Sequence, residues 1–225
     1  MSVAENLTEI QTRIAKACKT AGRAVNEVKL IAVSKTWPAE HVQKAADAGQ
    51  SVFGENKLQE GQEKIPVMSD ELEWHYIGGL QRNKVRKVLD LFHVVHSIDS
   101  LKLANYTNNV AADMGLNPRV LLQVNIGNEE SKGGFSDQVL EDCFTELLSL
   151  DSLEIVGLMC IPPAVYKSEG ARVWFRKVVE LRDKLEGAHS IKLPELSMGM
   201  SGDFETAIEE GATYVRVGTS IFGER

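Results

Sequence analysis

The chain has 225 residues, of which 43% are apolar and 25% are charged, and its formal net charge is -7. This composition is typical of a globular protein that buries enough apolar surface to fold without disulfide or metal staples. The acidic balance argues against nucleic acid and anionic membranes as main partners, although one local site can still be basic. No apolar run approaches the roughly 20 residues needed to cross a bilayer.

The three cysteines, Cys18, Cys143 and Cys160, lie far apart, without a CxxC motif or a Cys/His cluster. This pattern predicts free thiols in a reducing cytoplasm, with neither a disulfide framework nor a metal site. The first eleven residues contain two glutamates and no basic residue. We therefore expect neither a signal peptide nor a transit peptide, and a cytoplasmic location.

The predicted elements begin with a helix, because apolar residues recur at steps of three and four from Leu7 to Cys18, and Gly22 can end it. Eight apolar, β-prone runs follow. They are 29–34, 51–54, 74–78, 92–98, 119–126, 154–161, 195–198 and 213–217. Helical patterns lie between several of these runs, over 39–48, 137–150, 171–185 and 203–210.

Several of the predicted strands are apolar nearly throughout, which is typical of parallel strands that helices cover on the outside. Eight strand–helix alternations in about 200 residues predict an α/β fold, a closed (β/α)8 TIM barrel, with one additional N-terminal helix. An open doubly wound sheet is the alternative, and it usually has fewer strands. Without a linker or low-complexity stretch, the sequence predicts a single domain over residues 1–225.

Lys35 follows the first predicted strand and shares a face with Ile31 and Val33. In such a barrel this places an amine at the carboxyl ends of the strands, where ligands bind. On spacing alone, a lysine that simply leaves the strand into solvent is the commoner case. A desolvated lysine beside cationic neighbours could instead attack an aldehyde.

Arg216 lies within the eighth predicted strand, which a helix-covered barrel encloses on both sides. A buried guanidinium needs an acceptor. The spacing favours equally a carboxylate from another strand and an atom of a ligand. A heterocyclic nitrogen is a suitable ligand atom, because arginine stays protonated and keeps that nitrogen unprotonated.

Small residues follow the seventh and eighth predicted strands. Ser201 precedes a predicted helix, where it is either an N-cap or part of an anion site at the helix terminus. Gly218 and Thr219 end the eighth strand, and the two loops together favour a phosphate site. Asn56 after the second strand can orient a neighbour or simply form a turn. His75 on its own is more often a core residue than a catalyst.

Seven segments along nearly the whole chain resemble the pyridoxal phosphate homeostasis proteins, the YggS/PROSC family. They are AVSK (32–35), FGEN (53–56), WHYIG (74–78), LQRNK (80–84), SKGGF (131–135), LSMGMS (196–201) and VRVGTSIFG (215–223). The resemblance implies the barrel of the alanine racemase N-terminal domain, with pyridoxal 5′-phosphate (PLP) held as a Schiff base on Lys35. It also implies that Arg216 lies near the pyridine nitrogen. One departure is Gly79, where family members often carry a bulkier residue or proline.

The resemblance further implies a function in vitamin B6 and amino-acid homeostasis, by storage or delivery of PLP. PLP-dependent apoenzymes are the expected recipients, and the chain is expected to be a monomer or a weak homodimer. Phosphate contacts are implied for Ser201, Gly218 and Thr219. The complete predicted cofactor site consists of Lys35, Val33, Asn56, His75, Ser197, Met200, Ser201, Arg216, Gly218 and Thr219.

A PLP-dependent amino-acid racemase is the alternative function. Racemisation needs two bases, one on each face of the substrate carbon. Lys35 can serve one face, and in the racemase relatives a tyrosine from the partner subunit's additional β-domain serves the other. Because the sequence ends at Arg225, soon after the eighth strand, we expect that domain to be absent and favour a carrier without robust turnover. A third interpretation, a phosphate-sugar enzyme with a Schiff-base lysine, predicts no pyridoxal absorbance.

Overall fold

A computed structural model describes residues 1–129, 132–164 and 168–223. Ser131 and Arg225, which entered the sequence predictions, lie outside these described residues. Eight parallel strands close into a barrel in which each strand pairs with its neighbours in sequence and the last pairs with the first. The predicted (β/α)8 barrel is therefore confirmed.

The eight strands coincide closely with the predicted runs. They are β1 (Lys29–Val33), β2 (Val52–Glu55), β3 (Glu73–Tyr76), β4 (Val94–Ile98), β5 (Arg119–Val124), β6 (Glu154–Cys160), β7 (Glu195–Met200) and β8 (Tyr214–Val217). The ends differ by at most two residues, at β3, β4, β5 and β7, and β7 continues two residues beyond the predicted end at Met198. Glycine and methionine at its end carry no strand signal, and pairing between Met200 and Arg216 extends the ladder there.

The helices cover the outside of the barrel. They are α1 (Val3–Thr20), α2 (Ala39–Asp47), α3 (Leu58–Lys64), α4 (Val85–Leu91), α5 (Leu101–Met114), α6 (Asp137–Leu148), α7 (Arg172–His189), α8 (Phe204–Glu209) and α9 (Thr219–Phe222). Sequence analysis missed α3, α4, α5 and α9. Three of these are short: α3 and α4 have seven residues each and α9 has four. So few residues make about two turns at most, and an apolar period is hard to detect over them.

Helix α5 did carry terminal signals that could have predicted it. The Ser100 hydroxyl accepts a hydrogen bond from the Leu103 backbone N–H at 3.3 Å, as an N-cap does. Gly115 ends the helix in the left-handed conformation, with φ of 65°.

Helix α1 is the additional N-terminal helix, and a capping box begins it. The Glu5 N–H donates to the Ser2 hydroxyl at 3.2 Å, and the Ser2 N–H donates to the Glu5 carboxylate at 2.7 Å. Its buried face packs mainly against α8 and α9, so it supports the two elements that follow β7 and β8. No helix among the described residues is long and apolar enough to cross a membrane.

The barrel interior holds an apolar cluster that is separate from the larger core between strands and helices. Its members are Ile31, Val52, Val94, Leu121, Val156, Met159 and Tyr214. The interior is not entirely apolar, because His75, His96, Ser197 and Arg216 are also buried. Polar side chains inside a protein need hydrogen-bond partners. These four residues therefore distinguish this part of the barrel interior as a candidate for a functional role.

Candidate functional site

A cavity of about 300 Å³ opens at the carboxyl ends of the strands. Its lining residues are Val33, Lys35, Asn56, Ile77, Ile161, Met200, Ser201, Gly202, Arg216, Gly218 and Thr219. Eight of the ten predicted site residues belong to this lining, and His75 and Ser197 do not. A cavity at this end of a barrel is the usual place for a small-molecule ligand.

Three lining residues were not predicted: Ile77, Ile161 and Gly202. Each directly follows or nearly follows a strand, which is the only signal that the sequence carried for them. Ile161 and Met200 are 39% and 38% exposed, so the cavity has apolar residues at an open mouth.

Lys35 follows β1 as an exposed residue between two anchored neighbours. The Ser34 hydroxyl donates to the Glu55 carboxylate at 2.6 Å, and the Ser34 carbonyl accepts from the Lys64 ammonium at 2.8 Å. On the other side, the Thr36 backbone N–H donates to the Glu60 carboxylate. The backbone that carries the amine is therefore held on both sides.

Thr36 has φ of 71°, a conformation that a β-branched residue rarely adopts. Its anchor, Glu60, also accepts from Lys64 at 3.2 Å. The same ammonium donates to Glu55 at 2.6 Å, and both Lys64 and Glu55 are buried. Burial raises the pKa of Glu55, and the hydrogen bonds from Lys64 and Ser34 act in the opposite direction. This buried group of charges fixes the strained turn after Lys35.

Arg216 is 5% exposed, and its two terminal nitrogens bind neutral acceptors. One donates to the Ser197 hydroxyl at 2.6 Å and the other to the Cys160 carbonyl at 2.9 Å. Among the described residues no carboxylate forms an ion pair with it. Burial lowers the pKa of Arg216 and raises the pKa of the Cys160 thiol to about 12. The sequence left two kinds of partner open for Arg216. A carboxylate partner is excluded for the described residues, and the guanidinium can still donate to an atom of a ligand.

The loops after β7 and β8 meet through a hydrogen bond from the Gly218 N–H to the Ser201 hydroxyl at 3.4 Å. Interpreting Ser201 as an N-cap was wrong: α8 begins after Asp203, whose carboxylate accepts from the Met200 N–H at 2.7 Å. Helix α9 begins directly after Gly218, so the first amides of its opening turn have no intrahelical acceptor. Such amides beside two hydroxyl groups can bind a phosphate.

Gly218 also permits close approach between neighbouring strands. A Cβ atom there would lie 3.1 Å from the Val33 carbonyl oxygen. At Gly78 the requirement is stronger, because a Cβ atom would lie 1.9 Å from the Asn56 carbonyl oxygen. At Gly79 no atom outside its chain neighbours lies within 4 Å of the corresponding position, so a Cβ atom would fit there.

Asn56 follows β2, and its side-chain oxygen is buried without a hydrogen-bond partner among the described residues. A buried carbonyl oxygen without a donor is uncommon and calls for an explanation. Because Asn56 lines the cavity, a ligand is one source of that donor.

His75 and Ser197 lie deeper in the barrel than the cavity. The Ser197 hydroxyl oxygen accepts from Arg216 and lies 2.9 Å from His96 Nδ1, and His75 contacts His96 and Glu73. Sequence analysis assigned no role to His96. Alternation from the inward-facing Val94 could have identified it as an interior residue beside His75. Among the described residues no group of three or more His, Cys, Asp or Glu side chains could hold a metal ion.

Comparison with known proteins places the chain among relatives. The family model for the alanine racemase N-terminal domain matches residues 6–225. A pyridoxal phosphate homeostasis protein from Aquifex aeolicus (strain VF5) is 45% identical over 100% of this chain and 99% of its own length. A protein of the same name from Escherichia coli (strain K12) is 39% identical over 99% of this chain and 97% of its own.

Among solved structures, PipY of Synechococcus elongatus PCC7942 with PLP bound is 35% identical, with a TM-score of 0.88 over 99% of this chain and 100% of that chain. An alanine racemase of Clostridium difficile 630 is 16% identical, with a TM-score of 0.75 over 98% of this chain and 57% of its own. Diaminopimelate decarboxylase of M. jannaschii is 13% identical, with a TM-score of 0.77 over 98% and 60%. The last two show likeness of fold alone.

Proposed function

The chain belongs to the pyridoxal phosphate homeostasis proteins, within the family of the alanine racemase N-terminal domain, and on that premise we propose that it binds PLP in the barrel cavity and acts in PLP and amino-acid homeostasis. One observation carries this proposal. At one cavity the barrel brings together Lys35, a buried Arg216 that has no carboxylate partner in the described part of the chain, and two small-residue loops. The lysine suits an aldehyde, the arginine suits a heterocyclic nitrogen, and the two loops suit a phosphate.

The cavity contains donors and acceptors that no identified hydrogen bond among the described residues uses and that this cofactor would satisfy. Arg216 uses two of its five N–H donors on identified acceptors, so donors remain for the pyridine nitrogen. Asn56 has a buried oxygen without a donor among the described residues. Ser201, Gly218 and Thr219 would hold the phosphate with hydroxyl groups and backbone amides.

When bound, PLP supplies an aldehyde that forms a Schiff base with an amine. Lys35 is the lysine of the cavity lining and is the proposed point of attachment. The anchored residues on either side of it hold the amine toward the cavity mouth. That mouth is open, with Ile161 and Met200 more than a third exposed, which suits a cofactor that must enter and leave.

A carrier fits the cavity better than a racemase does. Racemisation needs a base on each face of the substrate carbon. Lys35 and Arg216 are the ionisable groups among the described lining residues, and an arginine does not act as a base because it keeps its proton. The site therefore offers one base.

The remaining parts of the proposal concern the whole protein. We propose a cytoplasmic location, which the three free cysteines support. We also propose a single domain over residues 1–225, a monomer or weak homodimer, and PLP-dependent apoenzymes as recipients. Size-exclusion chromatography with light scattering tests the oligomeric state, and activation of an apoenzyme by the PLP-loaded protein tests delivery.

The central experiment is attachment of PLP to Lys35. Purified protein is titrated with PLP, its visible absorbance recorded, and the adduct reduced with borohydride and mapped by mass spectrometry. Lys35→Ala should abolish the absorbance and the modified peptide. Lys57→Ala is the matched control, since Lys57 lies on the same rim with 66% of its side chain exposed. Absorbance that survives Lys35→Ala, or reduction that labels another lysine, contradicts the assignment.

Two further measurements separate the alternatives. Ser201→Ala combined with Thr219→Ala should weaken PLP retention, and unchanged retention counts against the phosphate site. Sustained racemisation of any amino acid at roughly 1 per second or faster, an ordinary enzyme rate, contradicts the carrier proposal.

A further inference from the structure

A linear chain of hydrogen bonds runs down the barrel interior from Arg216. Its Nη1 lies 2.6 Å from the Ser197 hydroxyl, which lies 2.9 Å from His96 Nδ1. His96 Nε2 lies 2.8 Å from His75 Nδ1, and His75 Nε2 lies 2.9 Å from the Glu73 carboxylate. The first four residues are buried, whereas 29% of the Glu73 side chain is exposed. The chain thus links the cavity to the opposite, amino-terminal end of the strands.

The chemistry of its two ends fixes the direction of every bond. Arginine only donates, so the Ser197 oxygen accepts from Arg216, which leaves its single proton available for His96. His96 then accepts at Nδ1 and, as a neutral ring, donates from Nε2 to His75. His75 likewise accepts at Nδ1 and donates from Nε2. The carboxylate of Glu73 only accepts, so the last link agrees with the first.

We propose that Ser197, His96, His75 and Glu73 are positioning residues that hold the Arg216 guanidinium for the cofactor, and that one added proton on the histidine pair releases it. This inference rests on the proposed function, because the molecule that Arg216 is held for is PLP. None of the four touches the cavity, so they act through Arg216. Their contribution depends on each ring nitrogen carrying the required proton.

An added proton reverses the link to Ser197 wherever it enters the pair. The two rings share four nitrogens, and a cationic pair carries three N–H groups. Two N–H groups cannot face each other at the His75–His96 contact, so the favourable arrangements both place a proton on His96 Nδ1. Ser197 then receives two donors, from His96 and Arg216, and a positive charge stands beside the guanidinium.

The surroundings of the pair oppose that proton until the solution is acidic. The ring of Tyr214 packs 5.3 Å from His75 and 5.5 Å from His96, which keeps water away and fixes both rings. Burial lowers the pKa of His75 and lowers that of His96 further. Charged and titratable groups surround this chain of hydrogen bonds on five strands and one turn. They are Lys29 on β1, Arg119 on β5, Glu154 and Cys160 on β6, Glu195 on β7, Tyr214 on β8, and Asp203 in the turn before α8. The positive charges of Lys29, Arg119 and Arg216 lower the histidine pKa values in the same direction as burial does. The pair therefore takes up the proton only at a pH below the ordinary histidine pKa of 6.5.

The tautomers are tested directly in the PLP-free protein. Protein labelled with 15N-histidine is measured by NMR at about pH 7.5, where an unperturbed histidine is neutral, and the signals are assigned with His75→Asn and His96→Asn. We expect both rings to be neutral with the proton on Nε2. A proton on Nδ1 of either ring, or a charged ring, overturns the inference. Because no PLP is present, this result is independent of the proposed function.

The positioning role is tested by PLP affinity at about pH 7.5 and at a lower pH at which the same NMR signals show the His75–His96 pair to be charged, with circular dichroism to confirm folding. A pair that stays neutral down to acid unfolding overturns the release by a proton. At the higher pH, Ser197→Ala and His96→Asn should each weaken PLP binding about tenfold, the effect of losing a hydrogen bond to a charged group. At the lower pH the difference from wild type should narrow, because the wild-type chain is already reversed. Any effect of pH on Lys35 cancels in this comparison.

Matched variants separate positioning from general structural damage. Glu73→Gln retains an acceptor oxygen and should bind PLP like wild type, whereas Glu73→Leu should weaken binding although it lies far from the cavity. His189→Asn, at the outer end of α7, should match wild type at both pH values. Variants that lose the same factor at both pH values, or lose nothing, overturn the inference. A folded wild type that fails to bind PLP instead overturns the proposed function.

Discussion

Replacing Lys64 with methionine tests whether the buried charges hold the turn that follows Lys35. All three hydrogens of its ammonium are used, on the Ser34 carbonyl at 2.8 Å, Glu55 at 2.6 Å and Glu60 at 3.2 Å. Glu55 is completely buried, so Lys64→Met leaves a carboxylate without its cation. We expect the free energy of unfolding to fall by about 3–5 kcal/mol, as when one partner of a buried ion pair is removed.

Urea denaturation measures this change, and two other variants calibrate it. Lys57→Met removes an exposed lysine that lies 3.9 Å from Glu60, and it should cost less than about 1 kcal/mol. Glu55→Gln combined with Lys64→Met removes both charges and should recover about half or more of the lost stability. PLP affinity of Lys64→Met should also fall, because the turn after Lys35 loses its support.

The stability lost in Lys64→Met should depend on pH, and the pKa of Glu55 determines the direction of that dependence. Burial already raises the pKa of Glu55 in the folded protein, and without Lys64 its opposing hydrogen bond is gone. A carboxyl group whose folded-state pKa is raised stabilises the fold at low pH, and that contribution is lost as pH rises through the raised value. The cost of Lys64→Met should therefore be larger at about pH 8 than at about pH 5. A loss below about 1 kcal/mol, or a double variant no more stable than the single one, would refute the role given to this ion pair.

Three further predictions follow from single positions. Gly78→Ala should destabilise the fold by about 2 kcal/mol or more in thermal unfolding, because its Cβ would overlap a backbone carbonyl oxygen at 1.9 Å. Gly79→Ala has open space around its Cβ, so the same measurement should find it neutral or stabilising by about 0.5 kcal/mol. The hydrogen bond from His75 lowers the pKa of Glu73 to about 2, so stability should fall as pH decreases from about 4.5 toward 2, and urea midpoints that stay flat over this window would contradict it. Cys160 should react with thiol reagents only after unfolding, because burial raises its pKa to about 12.

The barrel itself was predictable because its strands are enclosed on both faces. An enclosed strand is a short, almost continuously apolar run, and eight such runs left one economical closed architecture. Short helices escaped detection, since a segment of seven residues such as Val85–Leu91 spans too few turns for a clear period. Tertiary packing on the barrel stabilises such helices more than their own sequence does.

The residues that line the cavity were predictable where position along a strand determined position in space. Lys35 and Gly218 end strands, and strand ends converge at one rim of a barrel. His75 was expected at the same rim, but the structure places it deeper, because it is an interior residue in mid-strand rather than at a strand end. Ser197 likewise does not line the cavity and instead contacts Arg216.

Local sequence patterns were enough for the number and order of the strands and for most of the residues at the barrel mouth, because strand runs and strand ends are local features. The partners of the buried groups followed only from the three-dimensional packing: Ser197 and Cys160 for Arg216, His96 for His75, and Glu55 for Lys64. Those contacts join residues that are 9 to 56 positions apart. They depend on barrel stagger and register, including an irregularity between β7 and β8, which no local pattern specifies.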